Sequence, residues 1–171
     1  MVIWLIGLSG AGKTTLGNEL REYCEGLGLR SFIIDGDMVR NFYDNDLGYS
    51  REDRIANIKR IMLAAHVISK SGTIAIVCNI SPFEELRQFA RKKLQDYVEI
   101  YLKRNVAELQ QKDTKGMYRK NKGKTDIVGL EVAFDEPRHP DMTIETGKES
   151  VEQSLKRIID FLKRKYPERF N

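Results

Sequence analysis

Gly7-Leu8-Ser9-Gly10-Ala11-Gly12-Lys13-Thr14 is the stretch that decides how this chain is read. It fits G-x-x-x-x-G-K-[ST], in which glycines let successive backbone N–H groups turn inward around phosphate oxygens. An apolar strand, Val2-Ile3-Trp4-Leu5-Ile6, runs into it, and a helical pattern begins at Lys13. Strand, loop and helix in that order distinguish a phosphate-binding loop from a glycine turn that merely joins two elements. The helix start adds a partial positive charge. The stretch therefore predicts contacts to a nucleoside triphosphate from Gly7, Ser9, Gly10, Ala11, Gly12, Lys13, Thr14 and Thr15. Lys13 is expected to reach the β- and γ-phosphates, and the Thr14 hydroxyl to ligate Mg²⁺.

Downstream, Leu16, Leu20, Tyr23, Cys24 and Leu27 recur at helical spacing, and Gly26 and Gly28 stop the pattern. Ser31-Phe32-Ile33-Ile34 reads as a short buried strand ending in Asp35-Gly36-Asp37. Ser50 and Asp53 form a capping signature ahead of a helix whose apolar face is Ile55, Ile58, Ile61, Met62, Ala65 and Ile68. Thr73–Cys78 is apolar throughout, as central parallel strands are. A helix over Phe83–Leu94 begins at Ser81-Pro82 and leads into the strand Tyr97–Tyr101, and a short helix spans Asn105–Lys112. Asp141–Ile144 is the last strand; Ser150–Lys165 is an amphipathic helix presenting Val151, Leu155, Ile158, Ile159 and Leu162. Alternating strands and helices predict an α/β fold of three layers, α/β/α, around a central, mostly parallel five-stranded sheet. Ligands would sit at the strands' carboxyl ends.

With 171 residues, no repeat and no linker, the chain is expected to be a single domain. It holds no run of about 20 apolar residues, so no membrane span is expected. The first strand begins at Val2, so no signal peptide is expected. Cys24 and Cys78, on a helix and a strand far apart, read as reduced thiols of a cytoplasmic protein. A net charge of +4, with acidic and basic residues interspersed, suits small anionic ligands and gives no argument for nucleic acid. His66 and His139 are isolated and make no metal site.

A phosphate-binding loop alone does not separate GTPases, motors and small-molecule kinases. The N-K-x-D element of guanine-specific proteins is absent: Asn121-Lys122-Gly123-Lys124 lacks the acid. The strand Thr73–Cys78 runs into Asn79 and supplies no acid either. The acids stand instead at the end of the second strand, at Asp35 and Asp37, where they would face the γ-phosphate. That favours a compact kinase for a small acceptor.

Asp35-Gly36-Asp37-Met38-Val39-Arg40, Asp46-Leu47-Gly48-Tyr49-Ser50 and Asp53-Arg54-Ile55-Ala56-Asn57-Ile58-Lys59-Arg60 follow in order. Together with Ile80-Ser81-Pro82 and Lys115-Gly116-Met117-Tyr118, they resemble the signature blocks of adenylyl-sulfate kinases, from Val2 to about Thr146. That family transfers the γ-phosphoryl of MgATP to the ribose 3′-hydroxyl of adenylyl sulfate. The resemblance implies ATP and Mg²⁺ as cofactors, a small nucleotide acceptor and a homodimer. It gives Asp37 the acceptor hydroxyl and its proton, with Asp35 beside the metal; Lys13 completes the phosphoryl-transfer set. Arg40 and Arg54 would bind the acceptor's phosphate–sulfate portion. Asn57, Ile80 and Ser81 would hold its nucleoside, and Tyr49, where the family usually has Phe, would stack on a base. Ser81, read in relatives as a phosphoserine intermediate, has no base beside it in sequence. We expect it to cap the following helix and touch substrate. Lys115, with Arg119 and Lys120, would belong to a basic lid over about 112–135 that excludes water; six of the thirteen residues from Lys112 to Lys124 are Lys or Arg.

The likeness breaks in one place. The family's Phe-Thr-Gly and Pro-Tyr-Glu blocks are Ile127-Val128-Gly129 and Ala133-Phe134-Asp135 here. Ile127 replaces the ring expected to stack on the acceptor base, a contact worth about 1–3 kcal/mol. The common Arg near the Lys-Gly-Leu-Tyr block is Lys112, and the small residue after it is Asn121. Two other readings therefore stand beside adenylyl sulfate. One is the same chemistry on cytidine diphosphoramidate, the acceptor of surface-polysaccharide relatives. The other is a non-catalytic ATP-binding regulatory module.

Overall fold

The computed structural model describes residues 1–112, 127–130 and 132–170. Lys115, Arg119, Lys120 and most of the expected lid lie outside them.

Five strands form the sheet: β1 (Val2–Ile6), β2 (Ser31–Asp35), β3 (Ile74–Asn79), β4 (Tyr97–Lys103) and β5 (Met142–Glu145). Their order is β2-β3-β1-β4-β5 and every pairing is parallel. α1 (Lys13–Gly26), α2 (Gly36–Phe42), α3 (Arg51–Lys70), α4 (Glu84–Lys93), α5 (Val106–Lys112), α6 (Val151–Lys165) and α7 (Pro167–Phe170) complete the described elements.

Side-chain alternation along the strands divides the interior in two. Ile3, Leu5, Ile76, Val98 and Ile100 pack against Leu16, Leu20 and Cys24 of α1 and Ile158 and Leu162 of α6. Val2, Trp4, Ile6, Ala75 and Val77 point the other way, onto Ile58, Ile61, Met62 and Ala65 of α3 and Leu86 and Ala90 of α4. Helices cover both faces of the sheet, as expected of strands buried on both sides. Gly17 admits β3 against α1, because a Cβ there would stand 2.5 Å from Cys78 Sγ.

Most expected elements form within a residue or two of their bounds. Ser50 caps α3 through the Asp53 amide at 3.1 Å, and Ser150 closes a reciprocal capping box with Gln153. Four expectations fail. β2, expected to be a buried strand, is an edge strand in which Ile34 is buried and Phe32 exposed. Leu27, assigned to the α1 apolar face, is the C-cap and is exposed, and Val151 is exposed in the first turn of α6. Ser81 does not cap α4: the N-cap is Phe83, which has no side-chain acceptor, and the Asp135 carboxylate takes the Glu84 amide instead, at 3.2 Å.

Asp141 joins β5 to its surroundings. Its carboxylate accepts from Arg91 of α4 at 3.1 Å, from the Glu99 amide of β4 at 2.9 Å, and from Lys165 of α6. Burial opposes its charge, but the bonds from Lys165, the Glu99 amide and Arg91 outweigh burial and hold the carboxyl below its ordinary 3.8. A depressed folded-state value makes this stabilisation complete above the ordinary value; it is lost as the pH falls through the folded one. Asp141→Asn should cost about 1–3 kcal/mol in urea unfolding at neutral pH, with the difference from wild type shrinking in strong acid. An acid-independent difference would remove the charge from the account.

Candidate active site

The parallel register brings the carboxyl ends of β2, β3 and β1 level: Asp35 lies opposite Cys78, and Ile6 opposite Asn79. The phosphate-binding loop leaves β1 at that edge. Gly7 is confined by β4, since a Cβ there would meet the Leu102 carbonyl at 2.5 Å. Gly12, at φ 96°, is the left-handed residue that starts α1.

A cavity of about 240 Å³ opens over this edge. Of the expected nucleotide residues, Ser9, Gly10, Gly12, Lys13, Thr14 and Thr15 line it. Gly7 and the buried Ala11 shape the loop from behind. Of the expected catalytic and acceptor residues, Asp35, Asp37, Arg40, Tyr49, Arg54, Asn57 and Ile80 line the same space. One cavity thus holds residues from five separate sequence blocks.

The Asp35 carboxylate divides its oxygens. Oδ1 accepts the Asp37 amide at 2.9 Å, capping α2, and Oδ2 accepts the Thr14 hydroxyl at 3.3 Å. Two hard oxygen groups from different elements suit Mg²⁺, which takes one or two protein ligands and completes its shell with water and phosphate. Among the described residues no cluster of three His, Cys, Asp or Glu competes for an ion. Asp37 is exposed to the cavity one residue beyond Gly36. Lys13 Nζ donates to the Gly7 and Leu8 carbonyls, 2.8 Å each, so its charge is held at the loop.

The opposite wall is cationic and aromatic. Arg40, 7% exposed, donates to the Leu47 and Gly48 carbonyls at 3.0 and 2.8 Å. Arg54 Nε donates to the Tyr49 carbonyl at 2.9 Å. Both guanidinium groups lie over the Tyr49 ring, 4.6 and 5.3 Å from its centroid. Asn57 gives its amide N–H to the Gly36 carbonyl at 3.3 Å, while its Oδ1 is buried with no partner among the described residues. An acceptor oxygen left so at a cavity wall is suited to a ligand donor. Cys78 also borders the cavity; burial, and then the Asp35 carboxylate, push its thiol up to about 12, so it is not a nucleophile at neutral pH.

Two expected contacts are not brought together with these. The Ser81 hydroxyl is buried, accepting from Trp4 Nε1 at 2.9 Å and donating to Asn79 Oδ1 at 3.0 Å. Its side chain points into the core, not toward the phosphates, because the residue sits in the left-handed region at φ 48°. Ile127 is 5% exposed in a small apolar cluster with Leu8, Leu109 and Val128 and lines no part of the cavity.

Sequence reasoning missed a second cavity of about 580 Å³ on the far side of Leu8. Arg104, Asn105, Gly129, Phe134 and Lys148 are among its walls. The signal was present in the rule that ligands gather at the carboxyl ends of strands, here β4 and β5. Lys13→Ala should weaken MgATP binding about tenfold or more in calorimetric titration; unaltered affinity would remove Lys13 from phosphate recognition.

Comparison with known proteins agrees with this geometry. The family model described as adenylylsulphate kinase matches residues 1–145. An adenylyl-sulfate kinase of Staphylococcus haemolyticus is 38% identical over 169 residues, covering 96% of this chain and 85% of its own. One from a Picosynechococcus strain is 34% identical over 161 residues, covering 93% and 91%. The Mycobacterium tuberculosis APS kinase CysC, solved with AMPPNP and APS, superposes with a TM-score of 0.88 at 27% identity, covering 95% of this chain and 96% of that one. With the match spanning the phosphate loop, both acids and the arginine wall, this chain belongs to the adenylylsulphate kinase family.

Proposed function

We propose that the chain transfers the γ-phosphoryl group of MgATP to the ribose 3′-hydroxyl of adenylyl sulfate. The observation that carries this reading is the single cavity in which the phosphate loop and Asp35 face Asp37, Arg40, Arg54 and the unpartnered Asn57 oxygen. Donor phosphates and an anionic acceptor would meet in that one space.

The triphosphate lies along Gly7–Thr15, with its base in the larger cavity beyond Leu8. Lys13 turns from the Gly7 and Leu8 carbonyls to the β- and γ-phosphate oxygens. Thr14, and Asp35 beside it, would hold Mg²⁺, which would supply neutralising charge to those oxygens. Arg40 and Arg54 bind the acceptor's phosphate–sulfate portion by planar, charge-assisted hydrogen bonds. Asn57 Oδ1 accepts a donor of the acceptor nucleoside, and Tyr49 offers a ring to its base. Asp37 accepts the hydrogen bond of the 3′-hydroxyl and takes its proton as the new oxygen–phosphorus bond forms and the bond from the γ-phosphorus to the bridging oxygen breaks, releasing ADP. In a loose transition state this positioning matters more than a strong base.

A second acceptor, cytidine diphosphoramidate, is favoured by one observation. Tyr49 is the sole ring among the described residues lining the acceptor cavity, since Ile127 is committed to the cluster under Leu8. A smaller pyrimidine needs less stacking area. ATP consumption with each acceptor separately, and phosphorus NMR of the product, decides between them. A 3′-phosphate on adenylyl sulfate supports the main reading, and turnover confined to the cytidine compound replaces it. ATP binding with no acceptor-dependent ADP release points to a regulatory module. Asp37→Ala should lower kcat by about two to four orders of magnitude with MgATP binding retained; near-normal turnover would take Asp37 out of the mechanism.

A further inference from the structure

Beneath the acceptor cavity lies a buried cation that none of these steps uses. Arg87, on α4, is 2% exposed. Its Nη1 donates to the Ser81 carbonyl at 2.7 Å, and its Nη2 donates to the Asp135 carbonyl at 2.6 Å and to the Glu84 carboxylate. A guanidinium fork serves carbonyls in two loops from two separate nitrogens; an ammonium has only one nitrogen to reach both.

The first of those loops needs holding. Ser81 lies at φ 48°, a conformation that costs a non-glycine residue on the order of 1–3 kcal/mol. Each of its polar groups is engaged. The amide donates to Asn79 Oδ1 at 2.9 Å, the hydroxyl bridges Trp4 and Asn79, and Arg87 takes the carbonyl. This turn buries the Ser81 side chain while leaving Ile80 and Pro82, on either side, to line the acceptor cavity.

The second loop carries the blocks in which this chain departs from its relatives. The Asp135 amide donates to the Pro82 carbonyl at 2.9 Å, and its carboxylate accepts the Glu84 amide at 3.2 Å. The Arg87 guanidinium lies 6.0 Å from the Phe134 centroid. Arg87 is thus bonded to both loops, from below.

We propose that Arg87 is a positioning residue for the acceptor. It locks the left-handed turn at Ser81 and ties that turn to Ala133–Asp135, so that Ile80 and Pro82 form a fixed wall against the acceptor nucleoside. It touches no reactant. The inference rests on reading that cavity as the acceptor's.

Steady-state kinetics of Arg87→Met and Arg87→Lys test it, with MgATP and adenylyl sulfate varied in turn. Met keeps most of the buried volume and abandons both carbonyls; Lys keeps the charge beside Glu84 and reaches one carbonyl. The acceptor KM should rise about tenfold or more in the Met variant and less in the Lys variant, with MgATP affinity within about twofold of wild type. An unchanged acceptor KM in a folded variant overturns the proposal, as does equal weakening toward both substrates. Should the Met variant fail to fold, the Lys variant decides by the same criteria. An inactive wild type with adenylyl sulfate would sink the acceptor reading and leave the clamp to amide exchange. Arg87→Lys should then speed exchange at the Ser81 and Asp135 amides and leave Gly7–Thr14 as in wild type; equal protection at Ser81 and Asp135 overturns the clamp.

Discussion

The active edge depends on one carboxylate set at the end of a parallel strand. Asp35 reaches the phosphate loop because the strand order places only β3 between β2 and β1. Its two oxygens then act on different elements, one starting α2 and the other meeting Thr14. With Oδ1 committed to the Asp37 amide, the carboxylate plane cannot swing freely, and Oδ2 stays aimed at the Thr14 hydroxyl. Gly36 completes the constraint: a Cβ there would stand 2.4 Å from Asn79 Nδ2, so only glycine lets α2 begin pressed against the end of β3. Asp37 inherits its place from that junction. A shift of β2 by one residue would turn Asp35 to the other face of the sheet and undo the Thr14 contact, the cap of α2 and the place of Asp37 together.

Opposite this carboxylate the chain gathers positive charge without letting it collapse onto the acids. Arg40 is nearly buried, a costly place for a cation unless its donors are used. The Leu47 and Gly48 carbonyls take its Nη1, and the Tyr49 ring lies against its plane. Arg54 reaches the Tyr49 carbonyl in the same way. The loop before α3 is therefore folded around the arginines, which are oriented before an anion arrives. Preorganised charge of this kind does not have to reorient as the reaction proceeds.

The fold was legible because its signals are periodic. Apolar runs bounded by glycine or a capping serine gave the strands, α1, α3 and α6 to within a residue or two. α2 was invisible for a physical reason: its seven residues carry no apolar period, and it exists because Asp35 caps it and Arg40 is tied to the loop beyond. The cavity residues were legible as motifs, and thirteen expected positions do share one space. Ser81 and Ile127 were not, since each side chain's direction is set by tertiary contacts. A left-handed turn sends Ser81 to Trp4, and packing sends Ile127 beneath the phosphate loop.

Ile127, where the family resemblance leads to the expectation of a ring, packs with Leu8, Leu109 and Val128 instead. The turn following it is closed by the Val132 amide on the Ile127 carbonyl at 3.1 Å and the Gly129 amide on the Val132 carbonyl at 2.8 Å. At Gly129, φ 92°, a Cβ would come within 2.9 Å of Leu8, so this turn presses directly on the phosphate loop. Burying an isoleucine there is worth about 1.5–3 kcal/mol, comparable to the 1–3 kcal/mol of a base stacked on a ring. A side chain at 127 serves one purpose or the other. In this chain it supports Leu8, and with it the loop that holds the phosphates. On the proposed reading, recognition of the acceptor base falls to Tyr49, Asn57 and the wall formed by Ile80 and Pro82, which line one cavity. Selectivity among nucleotide acceptors then comes from the position of that wall and from the anion-binding arginines, more than from stacking area.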